Sequence, residues 1–85
     1  MNDRLPGIPR PLMPLFNEIL DREDPDLLDS VLASGDPTLA ERERVMDILV
    51  HEFMGNLQPD YEPTERGKQI DDLLGWFLLQ FPIER

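Results

Sequence analysis

The sequence predicts an all-α domain, a small bundle or orthogonal array of about four helices behind a proline-rich N-terminal arm. Apolar residues recur at helical spacing in successive stretches from Leu12 onward. Helix caps and helix-ending Gly and Pro residues fall between those stretches. No stretch shows β-type alternation, and there is no internal repeat or low-complexity tract.

Residues 1–11 hold Pro6, Pro9 and Pro11 with Gly7, a spacing that neither a helix nor a central strand tolerates. They read as an extended or disordered arm with Leu5 and Ile8 as its only anchors, ahead of a single helical domain over 12–85. The first helix is expected over 12–22, with Pro14 in its first turn and Leu12, Phe16, Ile19 and Leu20 facing inward. Asp24 then caps a shorter helix with Pro25 at the first helical position. Leu27, Leu28, Val31 and Leu32 point inward, and Gly35 closes the helix.

The central stretch, 38–57, has the longest clear helical period. Leu39, Met46, Leu49, Val50, Phe53 and Leu57 recur on one side, widened by Val45, Ile48 and Met54. Glu43, Arg44, Asp47 and His51 mark the wet side. So broad a stripe implies two covering neighbours and a fully buried Phe53. Two caps are open: Asp36 with Pro37, or a capping box of Thr38 and Glu41. A polar turn over 58–63 carries Tyr61. The last helix spans 64–81, capped by Thr64, with Ile70, Leu73, Leu74, Phe77 and Leu78 inward and Pro82 as its stop.

With 85 residues there is one domain, burying roughly 60–65% of the surface its unfolded chain exposes. The absence of cysteine excludes a disulfide framework and thiolate metal sites and fits a cytoplasmic location. No signal peptide or membrane span is expected, since prolines interrupt the N-terminus and Gly75 interrupts the longest apolar run. The net charge of −10, from 18 acidic against 8 basic side chains, opposes direct binding to nucleic acid or anionic membrane. It favours encounter with basic proteins.

Catalysis has no signature. His51 is the single histidine, and a zinc motif of HExxH type would need a second at the position of Gly55. Asp47 and His51 supply only two ligands, Ser30 and Ser34 have no base in an obvious motif, and Asp71 and Asp72 point in different directions. No enzyme activity, cofactor or metal is therefore expected.

The most informative stretch holds Glu18, Asp21, Glu23, Asp24, Asp26 and Asp29 against one base, Arg22. Capping and the helix dipole explain Asp24 and Asp26. The surplus makes a negative knob at a helix–helix corner. It is either a solvated turn or a docking surface for a basic partner.

The apolar run 73–81 adds a second candidate surface, because Trp76, Leu79 and Ile83 fall outside the inner arc. They are open to packing on the arm, a homodimer seam, or a hot-spot role to which Trp is suited. The Met46 and Met54 pair reads as core filler.

In size, charge and helicity alone the chain is similar to small acidic inhibitors such as nuclease immunity proteins and anti-CRISPR proteins. No motif or residue carries over from that similarity. The expected function is non-enzymatic: an inhibitor or immunity-type module docking on a basic, nucleic-acid-binding partner such as a nuclease. Glu18, Asp21, Glu23, Asp26 and Asp29 would meet that partner, with Trp76 and Leu79 as apolar anchors. The alternative is a structural module, a homodimer or an assembly subunit, joined through the apolar C-terminal helix.

Overall fold

The computed structural model describes residues 7–60 and 62–83. A 3₁₀ turn over Arg10–Leu12 leads into α1 (Met13–Glu23), with Pro14 in the first turn, where no N–H is needed. Asp24 ends α1, its N–H donating to the Leu20 carbonyl at 2.7 Å. The same residue starts α2 (Pro25–Ser34), where its Oδ1 accepts the Leu27 N–H at 3.2 Å. Gly35 closes α2 at φ 67°, a left-handed conformation that glycine reaches without steric cost.

Of the two caps open for α3 (Leu39–Met54), the Thr38–Glu41 box forms. Thr38 Oγ1 accepts the Glu41 N–H at 3.2 Å, and Glu41 Oε1 accepts the Thr38 N–H at 2.9 Å. Asp36 pairs instead with Arg42 at 3.2 Å. α3 ends at Met54, short of the expected Leu57. At Asn56 the side-chain amide donates to the Glu52 carbonyl at 2.8 Å, and its own carbonyl accepts the Thr64 N–H at 3.0 Å. These bonds hold the turn, which closes with an isolated antiparallel bridge between Leu57 and Pro63. Thr64 then caps α4 (Glu65–Gln80), accepting the Gly67 N–H at 3.0 Å. Among the described residues there are four α-helices and no strand.

α3 packs chiefly against α4, and α1 packs against α2 and α3. Phe16, Ile19, Leu20, Val31, Val45, Leu49, Ile70, Leu73 and Phe77 are wholly shielded from water. The Phe16 and Phe77 rings stack at 6.2 Å across the α1–α4 contact. From the N-terminal arm, Ile8 enters this core, and the chain at Gly7 passes beside the Gln80 side chain. Leu5 and Tyr61 lie outside the described residues.

The face that α3 buries differs from the one expected. Val45, Ile48 and Leu49 are buried, whereas Leu39, Val50 and Met54 are exposed and Met46, Phe53 and Leu57 half-buried. Phe53 is thus not fully buried, and Met54 is not core filler. The helix is turned by about one residue, roughly 100°, from the orientation that would hide its full apolar stripe.

The observed orientation brings a charged residue of α3 into an ion-pair seam. At the burial-facing position 52 stands Glu52, which binds Arg22 of α1 and lies 3.8 Å from Arg66 of α4. Arg66 also binds Glu18 of α1, so alternating charges tie three helices along one seam. Turning the apolar stripe inward would carry Glu52 away from both arginines.

Candidate docking surfaces

The acidic knob is built where α1 ends and α2 begins. Asp24 couples the two helices by ending one and capping the other, which fixes Asp21 and Asp26 on either side of the corner. Asp26 and Asp29 are a helical turn apart on α2, opposite buried Leu27, Leu28 and Val31. All three aspartates are exposed and have no ion pair among the described residues.

The other acids of this stretch are engaged within the molecule. Glu18 binds Arg66, Glu23 lies 3.1 Å from Arg22, and Asp24 lies 3.6 Å from Arg44. The Arg22 guanidinium is held more firmly protonated than usual by its hydrogen bonds, first to Glu23 and then to Glu52. Of the expected contact acids, Glu18 pairs across helices with Arg66 and Glu23 pairs with its neighbour Arg22 on α1, both staying exposed, while Asp21, Asp26 and Asp29 have no ion pair among the described residues. This division was beyond sequence reasoning, since Arg66 stands 48 residues from Glu18 and Glu52 30 residues from Arg22.

The two expected apolar anchors also separate. Trp76 is half-buried, its ring edge-on to Phe81 at 6.2 Å. Leu79 is 87% exposed on the outer side of α4. Gly75, one helical turn before Leu79, faces open space as well. Ile83 is half-buried.

The surface that sequence reasoning missed is the outer stripe of α3. Leu39, Met46, Val50, Phe53 and Met54 lie along one side of the helix axis with Leu57 in the turn beyond, all at least partly open to water. Its signal was in the sequence as the period of 38–57, read there as core.

Among the described residues no group of three or more His, Asp or Glu side chains is placed to hold a metal ion. His51 and Asp47 are both exposed on α3. No helix of the described residues is long and apolar enough to cross a membrane. No family model, curated protein or solved structure matches the chain.

Proposed function

We propose that this protein is a non-enzymatic binding module that docks an acidic surface on a basic protein partner and obstructs that partner's nucleic-acid or substrate site. The observation carrying this reading is the contrast among its charges. Arg22, Arg42, Arg44, Arg66 and Lys68 are each within an ion pair, whereas Asp21, Asp26 and Asp29 on one corner have none among the described residues. Like charges held together on a rigid corner repel, so they lower stability and raise the attraction for a cationic surface. Recognition of this kind needs complementary charge and a small apolar anchor, and no chemistry.

The test is capture from a lysate of the source cell, with the retained proteins identified by mass spectrometry. A retained protein of net positive charge that elutes as salt rises supports the proposal. The same protein should be largely lost from a column carrying Asp21→Asn, Asp26→Asn and Asp29→Asn together. Retention that ignores both salt and these changes contradicts it.

The exposure of Leu79 favours one second reading, a homodimer or assembly subunit joined through α4. Light scattering separates the two. A stable dimer that Leu79→Asp dissociates favours the assembly reading, and a monomer favours the docking module.

A further inference from the structure

We infer that the outer stripe of α3 is a docking site for an amphipathic, basic helix of a partner protein. The inference rests on the reading of the protein as a binder of a basic partner, and it names the structure that the partner presents.

The stripe is unusual for the surface of so small a domain. Leu39 is 48% exposed, Val50 41% and Met54 61%, with half-buried Met46, Phe53 and Leu57 filling the gaps between them. A domain this size has few apolar residues to spare for solvent. Val50 has little local reason to be there, because a β-branched residue at a partly exposed helix position gains limited burial and no helix propensity. The two methionines add adaptable, polarisable contact area of the kind used at helix-binding surfaces.

Shape and charge both point to the occupant. From Leu39 to Met54 the stripe is about 22 Å long at the rise of an α-helix, broken by Glu43 between Leu39 and Met46. That matches the apolar side of one partner helix. On α4, Gly67, Leu74 and Leu78 share one flank by helical spacing, and Gly67 meets the Asn56 carbonyl at the end of α3. Leu74 and Leu78 are half-buried on that flank of α4, packed against the core.

The border of the stripe is negative. Asp47 runs along its edge, exposed Asp60 and Glu62 stand in the turn beyond Leu57, and Glu43 stands within the stripe itself, one helical turn from Leu39. The two arginines of α3 are committed elsewhere, Arg42 to Asp36 and Arg44 to Asp24. An apolar stripe with an acidic border is complementary to a helix with apolar residues on one side and Lys or Arg beside them. A second copy of this chain, at net charge −10, brings like charge to the same border.

The probe is a fluorescent peptide of about 15 residues, matching the stripe in length, with Leu at helical spacing and Lys elsewhere. A scrambled peptide of the same composition controls for charge alone. Fluorescence anisotropy should show the ordered peptide binding the full chain at least about tenfold more tightly than the scrambled one. Val50→Asp with Met54→Asp should remove that advantage, and Leu79→Asp should leave it in place. Both altered positions are exposed, and a thermal melt close to the parent's establishes that the double variant is folded.

Equal binding of ordered and scrambled peptides, unchanged in the double variant, overturns this inference and leaves the charge-based reading standing. Failure of both basic peptides to bind overturns that reading as well. A parent dimer that the double variant dissociates makes a second copy the occupant and overturns the inference. Binding of phosphatidylcholine vesicles by the parent and not the variant, with no preference between the peptides, overturns it in favour of a bilayer.

Discussion

The Arg42 guanidinium lies over the Phe81 ring, 5.6 Å from its centroid. It also donates to the Pro37 carbonyl at 2.8 Å and to the Pro82 carbonyl at 3.0 Å. One side chain thus joins the start of α3 to the end of α4, while Phe81 closes the core against Phe77 at 5.2 Å.

Arg42→Ala should therefore destabilise the fold by about 1–3 kcal/mol, through lost hydrogen bonds, cation–π attraction and packing. Arg42→Lys should recover only part of this, since an ammonium cannot reproduce the planar fork. Urea unfolding of the three proteins checks the order.

The core makes a sharper contrast. Phe16→Ala should cost about 3–5 kcal/mol, a large share of what a small domain has. Phe53→Ala should cost clearly less, because its ring is half in water. Equal losses in chemical denaturation would mean that α3 is turned as its sequence period suggests, with Phe53 inward.

That contrast marks where the sequence was legible and where it was not. Caps, Pro25, Pro14 and Gly35 act through their own backbone neighbours, so their helix boundaries can be read locally. The inward residues of α1 and α2 follow for the same reason: each helix has one apolar side, and it is hidden. α3 has more apolar surface than its neighbours cover. The side that is buried is the one on which Glu52 meets Arg22 and Arg66, partners on other helices that no local pattern reveals. The knob was half legible. The aspartates could be seen, and the pairing of Glu18 and Glu23 could not.

Two glycines of α4 should respond oppositely to alanine. At Gly75 a Cβ meets nothing within 4 Å, so Gly75→Ala should stabilise by about 0.5–1 kcal/mol through helix propensity and reduced unfolded-state freedom. At Gly67 a Cβ would lie 3.0 Å from the Asn56 carbonyl oxygen and 3.2 Å from Pro63. Gly67→Ala should force α4 away from the turn and destabilise. Melting temperatures moving in the same direction for both would contradict this packing.

The capping box should be visible in acid. Glu41 is held below the usual carboxylate range, chiefly by the Ser30 hydroxyl at 2.6 Å and then by the Thr38 N–H. A carboxyl with a lowered folded-state pKa stabilises above its unfolded pKa and loses that contribution as pH falls through the folded value. Ser30→Ala should raise the Glu41 pKa towards its ordinary value and shrink the pH dependence of stability on the acid side. An NMR titration of Glu41 in both proteins measures the shift directly, and an unchanged pKa would mean that the Ser30 hydroxyl does not hold the Glu41 carboxylate.

The corner of Asp21, Asp26 and Asp29 is tested most directly by its effect on association rate. The measurement is the on-rate for the captured basic partner, at low and at physiological ionic strength. Compared are the parent and the variant carrying Asp21→Asn, Asp26→Asn and Asp29→Asn. If these aspartates steer the encounter, the parent's on-rate falls steeply with salt. The variant then binds about tenfold or more slowly at low salt, with a flatter salt dependence. Equal on-rates for the two proteins at every ionic strength would contradict a docking role for this corner.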